Sequence, residues 1–323
     1  MTDAQAGGHP PQIGPDGAGL LVLRNRRAGA STLRADPGTR LLRELPAARV
    51  RELEPDEDMA DVVAAATAGD DPPRMLGVLG GDGSVSAMAH IARSEGLPLW
   101  VVPGGTFNHF SRALGIDGPD AALSALRNGR VRAIDVLEVR VDDGEPQTVL
   151  NAASLGLYAG LIDERERRQS LGKWLGALVA ASDEITEAQP TEIVVDGRRA
   201  RVWSVFIGVG LHASDQVATL QRSEPDAGTL DIRIHHARGG RLRALASLAF
   251  GRRTRAVLRA VRVFPPARDV ERRLVDALEL RVRPADADQA AWVHDGELEK
   301  ASATGFTLHL RRVPAALSVV TSP

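Results

Sequence analysis

Two short glycine-rich stretches bring an acid, hydroxyls and unhindered backbone N–H groups to places where phosphate chemistry could use them. The first, Gly80 Gly81 Asp82 Gly83 Ser84, follows the apolar run Met75 Leu76 Gly77 Val78 Leu79 and precedes a helical pattern of Val85, Met88, Ala89, Ile91 and Ala92. The second, Pro103 Gly104 Gly105 Thr106, follows Leu99 Trp100 Val101 Val102 and precedes Phe107, Phe110, Ala113 and Leu114. Glycine lets backbone approach a ligand closely, and the free N–H groups of a helix start attract anions, so two such turns make a phosphate cradle. A carboxylate among them would repel phosphate unless a cation lay between, which points to Asp82 working with Mg²⁺. The alternative is a tight strand-to-helix turn in which Asp82 or Ser84 only caps the helix. A second glycine turn at the next strand end favours ligand binding.

The elements that must hold these turns are legible on either side. Leu20 Leu21 Val22 Leu23 reads as a buried strand leading into the basic turn Arg24 Asn25 Arg26 Arg27 Ala28 Gly29, where Asn25 either bonds a nucleotide or holds the turn. Helices are expected over Thr39 to Leu45, Asp56 to Ala68 and Ala121 to Asn128, with a strand over Arg49 to Leu53. Strands alternating with helices imply a doubly wound parallel sheet that binds ligands beyond its carboxyl strand ends. Neither G-x-G-x-x-G nor G-x-x-x-x-G-K-[ST] occurs at the first turn, so dinucleotide-fold and P-loop readings fit poorly.

From Ala133 the texture changes to hairpins. Asp142 Asp143 Gly144, Asp196 Gly197 and Asp295 Gly296 each lie between alternating apolar runs, the signature of tight β-turns, so the second half is expected to be a mainly antiparallel β-sandwich. One helical insertion, Gly172 to Ile185, is expected within it. The expected division is therefore a disordered leader over 1–19, an α/β nucleotide-binding domain over 20–132 and a β-rich acceptor domain over 133–323. The last strand, 313–321, has the option of packing back on the first domain.

Composition narrows the chemistry. Hydrophobic residues at 43% and charged residues at 25% are ordinary for a globular chain, and 40 Lys plus Arg against 42 Asp plus Glu demand no nucleic acid globally. The absence of cysteine excludes disulfides, thiolate metal sites and cysteine nucleophiles, and suits a reducing cytoplasm. No signal peptide opens the chain and no segment is apolar for the length of a membrane span.

With both turns placed, the chain resembles the diacylglycerol kinase catalytic family, which includes bacterial lipid kinases and shares a fold with NAD kinases. Gly80 to Ser84 resembles its GGDGT, and Pro103 to Ile116 resembles its P-x-G-T-x-N-D-F-A-R-x-L-G-I. Asn151 Ala152 Ala153 Ser154 Leu155 Gly156 is similar to N-x-x-S-x-G, Gly228 Thr229 Leu230 Asp231 to D-G-x-L-D, and Asp295 Gly296 Glu297 to D-G-E. The resemblance implies ATP-dependent, Mg²⁺-requiring transfer of the γ-phosphoryl group to a lipid hydroxyl. It places Asn25, Gly80, Gly81, Gly83, Ser84, Gly104, Gly105, Thr106 and Asn108 around the nucleotide and Asp82 on the metal. It makes Glu297 the candidate base and Asp226, with Asp231, a contributor to a second cation site. His109 stands where the family has Asp, and Ala227 interrupts D-G-x-L-D. An imidazole with an ordinary pKa of about 6.5 supplies no fixed negative charge, so His109 either acts as a base or points away. Two alternatives follow: a member that binds nucleotide or lipid with weak turnover, or a kinase for a soluble, NAD-type substrate.

The stretch 238–268 carries Arg241, Arg243, Arg252, Arg253, Arg255, Arg259 and Arg262 with no acid between, and Leu242, Leu245, Leu248, Val257, Leu258 and Val261 recur at helical spacing. A basic amphipathic helix would gain about 1 kcal/mol per arginine on anionic lipid. Its alternative is a pair of solvated arginine-rich helices packed on the β-rich domain. The expected partners are a lipid substrate and the inner membrane surface, met peripherally from the cytoplasm, with a homodimer admissible. Aromatics at 3% do not interleave with the arginines, which argues against nucleic acid.

Overall fold

The structure, a computed structural model, describes residues 9–10, 12–25, 37–54, 56–105, 108–156, 189–212, 222–224, 227–238, 269–285 and 289–322. The expected helix Gly172 to Ile185 and almost all of the arginine-rich stretch lie outside them. The chain divides into two compact units, 1–136 with 313–323, and 137–312.

In the first unit β1 (Leu20–Asn25), α1 (Pro37–Glu44), β2 (Arg49–Leu53), α2 (Met59–Thr67), β3 (Met75–Gly80), α3 (Asp82–Glu95) and β4 (Leu99–Pro103) alternate as the sequence pattern requires. They are followed by α4 (His109–Ala113), α5 (Pro119–Asn128) and β5 (Arg130–Val141). All six residues of β3 and all five of β4 are buried, which is why these strands read as unbroken apolar runs. The β1, β2, β3 and β4 pairings are parallel, in the order β2-β1-β3-β4. That order reverses between β1 and β3. The carboxyl ends of those two strands therefore flank the crevice where open α/β sheets take ligands.

Helix limits follow local chemistry. Asp58 caps α2 by accepting the Ala60 N–H at 2.6 Å, and Gly96 ends α3 in the left-handed conformation (φ 66°). Of the stretch 1–19, residues 12–19 are tied down: Ala47 N–H donates to Asp16 O, and Arg74 donates to Ala18 O.

The second unit is built from β6 (Gln147–Val149), β7 (Ala152–Gly156), β8 (Thr191–Val195), β9 (Arg198–Val209), β10 (Leu211–His212), β11 (Arg222–Glu224), β12 (Leu230–His236), β13 (Val270–Val275), β14 (Ala277–Arg283), β15 (Ala291–His294) and β16 (Glu297–Lys300). The final strand, β17 (Phe306–Thr321), begins in this unit and ends in the first, where Val319 pairs in parallel with Leu99. β9 is the axis of the second unit. Its first half pairs with β8 and its second half with β7, while β12 lies along its other edge, all antiparallel. Apart from the short β10–β11 ribbon, the described strands join one continuous ladder, so the expected antiparallel half is realised as a branching sheet rather than two separate ones. Val205, Ile207, Ile232, Leu280, Trp292 and Leu308 meet in its apolar core. The tight turns fall where Asp-Gly predicts them: Asp196 and Asp295 take φ of 49° and 47°, and Gly197 and Gly296 follow at 73° and 97°.

Candidate active site

The two glycine turns of the first unit touch one another. Gly104 N–H donates to Gly80 O at 2.8 Å, and a Cβ on Gly105 would lie 2.7 Å from Gly81 Cα. A Cβ on Gly80 would fall 2.6 Å from Ser84 Cβ. These glycines thus have a structural duty, since any side chain would wedge the turns apart. The same closeness sets the second turn directly beside the start of α3, with the Gly104 N–H spent on that contact.

Gly81 is the N-cap of α3 in an extended conformation (φ −84°, ψ −178°), and as a glycine it offers no side-chain cap. Neither Asp82 nor Ser84 occupies the N-cap position. Asp82 is instead the first helical residue, half-buried, with Gly83 and Ser84 following it in the first turn. An uncapped start to a helix of 14 residues retains N–H groups and a positive dipole end that suit an anion. That is the observation on which a nucleotide phosphate fits. Among the described residues no group of three acids or histidines is gathered for a metal. Mg²⁺ commonly needs only one or two carboxylates when phosphate oxygens and water complete its shell, so a lone Asp82 is compatible with it.

Asn108 serves the turn. Its Oδ1 accepts the Gly105 N–H at 2.9 Å and its Nδ2 donates to Gly105 O at 2.8 Å, closing the loop around the Thr106 position. Asn108 sits in the left-handed region (φ 51°), which asparagine tolerates through such local bonds. Its amide thus positions the turn with one bond at each end, leaving the second Nδ2 hydrogen and the second Oδ1 lone pair for the nucleotide contact expected of it. His109 follows as the first residue of α4, half-buried. Asn25 ends β1 beside the switch point, whereas Thr106 and Asp226 lie outside the described residues.

Glu297 opens β16 in the second unit, exposed, directly across the ladder from His294. The residue before the turn does more than the sequence suggested. Asp295 is buried, and its carboxylate accepts the N–H groups of Leu150 at 2.7 Å, Asn151 at 2.7 Å and Ala152 at 3.3 Å. It pins the Asn151–Gly156 motif to the Asp-Gly-Glu hairpin. The only sequence signal for this was that both motifs were present.

Asp231 departs from its expected part in a second cation site. It is wholly buried, and its charge is met by two guanidinium groups: Arg233 Nη2 donates to Oδ2 at 2.8 Å, while Arg272 donates through Nε and Nη2 at 2.8 and 2.9 Å. Burial alone would raise its pKa, but the bonds from Arg272 and Arg233 outweigh that and hold it below the usual carboxylate value. The cations here are side chains. His235 and His236 face apart: burial pushes His235 down to about 4, while His236 pairs with Glu271 at 2.8 Å.

Comparison with known proteins agrees with this geometry. Residues 19–139 match the diacylglycerol kinase catalytic domain. That bears out the family resemblance read from Gly80–Ser84 and Pro103–Ile116. A stretch of 148 residues is 28% identical to a diacylglycerol kinase of Mycobacterium tuberculosis, covering 43% of this chain and 46% of that one. A Staphylococcus carnosus protein provisionally named a lipid kinase is 32% identical over 102 residues, 30% of this chain and 32% of that one. The chain thus spans less than half the length of these curated relatives. A crystal structure of a Bacillus anthracis protein, provisionally assigned as a diacylglycerol kinase, superposes with a TM-score of 0.60 at 20% identity, over 94% of this chain and 97% of that one. At that identity the match speaks to fold, an α/β unit followed by an antiparallel β-rich unit.

Proposed function

We propose that this chain is an ATP- and Mg²⁺-dependent lipid kinase that transfers the γ-phosphoryl group to a hydroxyl of a diacylglycerol-like acceptor. The observation that carries the reading is the contact between the two glycine turns beside the uncapped start of α3, with Asp82 at its first position. The relatives named as diacylglycerol and lipid kinases favour a lipid acceptor.

In this mechanism the N–H groups of the first turn, Gly81 to Ser84, bind the nucleotide phosphates and neutralise their charge, while Gly104 and Gly105, whose N–H groups are engaged by Gly80 O and Asn108 Oδ1, hold the second turn against the first. Bound ATP with Mg²⁺ supplies the transferable phosphoryl group, and Asp82 is the residue that would hold the metal. Asn108 keeps the second turn in shape through Gly105. Glu297 takes the proton from the acceptor hydroxyl as its oxygen attacks, a role suited to an exposed carboxylate at a hairpin tip. Asp295 fixes that hairpin from behind. None of the described helices is long and apolar enough to cross a membrane. The proposed encounter with lipid is peripheral, at the inner membrane surface, through the arginines of 238–268.

The test offers the protein two acceptors with labelled ATP and Mg²⁺: total lipid dispersed in detergent, and NAD without lipid. Label in a lipid supports the proposal and names the acceptor. Label in NAD alone would assign the chain to soluble-substrate kinases. Binding of ATP with no transfer to either, reversed by His109→Asp, would mark a member whose turnover is limited at that position.

A further inference from the structure

The sheet formed by β7, β9, β12 and β13 has two faces of opposite character. Residues directly opposite in an antiparallel ladder share a face, so the pairings Ser154↔Phe206, Phe206↔Arg233 and Arg233↔Arg272 define one row across four strands. The neighbouring row on that face contains Gly208 and Asp231. The opposite face carries Ala153, Val205, Ile207 and Ile232, the apolar core. The first face is polar, yet it is buried: Ser154 is 3% exposed, Arg233 2% and Asp231 0%.

Buried polar groups are ordinarily satisfied, and here two are not. Arg233 Nη1 and Ser154 Oγ have no hydrogen-bond partner. The rest of the Arg233 head is fixed, because Nη2 donates to both Asp231 Oδ2 and the His212 carbonyl at 2.9 Å, and Cζ lies 5.9 Å from the Phe206 ring centroid. Nη1 therefore has a set direction and no acceptor. Among the described residues the charge is also unbalanced, with two guanidinium groups sharing one carboxylate. The nearby acid Glu271 is engaged by His236 and Arg273, and Asp269 is coupled to His235. An unsatisfied buried cationic donor beside an excess positive charge is the arrangement that an anion completes.

We propose that the Arg233–Arg272 pair, with Ser154, is a binding subsite for a phosphate ester. A guanidinium fork matches phosphate geometry, and Arg272, a third exposed, is the solvent-facing member of the pair, while Arg233 is enclosed behind it. Ser154 and Arg233 stand two strands apart, about 10 Å between backbones. Phe206 lies between them in the row, so a ligand serving both orphan groups must be polyatomic and reach past that ring, which a phosphate ester, with oxygens on several sides, is suited to do. The subsite stands on these four strands alone and does not depend on the chain being a kinase. Its ligand is either free phosphate or the phosphodiester of a lipid head group.

The test follows the arginine Nε–Hε signals of the full chain by NMR during titration with inorganic phosphate and, separately, with glycerophosphoglycerol as a soluble head group. Arg233→Lys identifies the Arg233 signal, which separates this site from phosphate held by the glycine turns. The expected result is a saturable shift of the Arg233 and Arg272 signals, weakened roughly tenfold in Ser154→Ala, a variant that removes an orphan hydroxyl and keeps the fold. Saturation by both ligands assigns the site to a head group, and saturation by inorganic phosphate alone assigns it to free phosphate. An Arg233 signal unmoved by either ligand, or an affinity unchanged in Ser154→Ala, overturns the proposal.

Discussion

Asp82 and Asp231 are both aspartates in motifs that suggested a cation, and the structure gives them opposite circumstances. Asp82 stands half-buried at the start of α3, between glycine turns held together by the Gly104 to Gly80 hydrogen bond. Asp231 is sealed into a strand, with Arg233 and Arg272 closing on both of its oxygens. One carboxylate opens a helix beside two glycine turns, where the proposed nucleotide and metal would lie. The other is a structural keystone whose cation is built into the chain. The residue type is the same, and the partners decide the chemistry.

The sharpest way to break this contrast is to remove each carboxylate in turn. Asp231→Ala leaves two guanidinium groups without their acceptor in a buried setting, and such losses cost about 3–5 kcal/mol. It should lower the denaturant midpoint strongly, whereas Asp82→Ala should leave thermal and chemical unfolding close to wild type. Equal loss of stability in both variants would erase the distinction.

A pH series sharpens it further. His235 is neutral in the fold with a pKa near 4, so folding gains nothing from it above the ordinary value of about 6.5 and loses stability as pH falls from there toward 4. The cost approaches about 3 kcal/mol at the acid end. Asp231, held below its ordinary value, keeps its contribution through that window and loses it only at lower pH. His235→Gln should therefore flatten the stability profile between pH 6.5 and 4 and leave the steeper acid limb intact, as read by urea unfolding at each pH.

The hairpin anchor is the next test. Asp295→Ala removes the acceptor of three buried N–H groups and should cost about 2–3 kcal/mol, since each unsatisfied buried donor is penalised. Glu297→Gln, at an exposed position, should change stability by less than about 0.5 kcal/mol. The glycine turns fall between these two. Gly105→Ala must push its Cβ away from Gly81 Cα and should cost about 1–2 kcal/mol, with weaker nucleotide binding by calorimetry as the distinguishing sign.

Local signals made the fold readable. Buried runs at β3 and β4, Asp-Gly turns at Asp196 and Asp295, and acids ahead of α2 each report a neighbour within a few residues. The glycine turns were legible for the same reason, although their mutual contact was not, because Gly80 and Gly104 are separated by a full helix and strand. What escaped was long-range pairing. Arg272 reaches Asp231 from 41 residues away, and Asp295 reaches Leu150 from 145 residues away. No periodicity announces such partners. Asn108 shows a subtler limit: its place in a motif suggested a ligand contact, while its amide also bonds Gly105 three residues before it.

The measurement that tests the central claim most directly is transfer of labelled γ-phosphate from ATP into detergent-dispersed total lipid, comparing wild type with folded Asp82→Ala. The account predicts a labelled lipid with wild type and at least about a hundredfold less with the variant. Equal labelling by the two proteins, or none by a wild type that binds ATP, would contradict it.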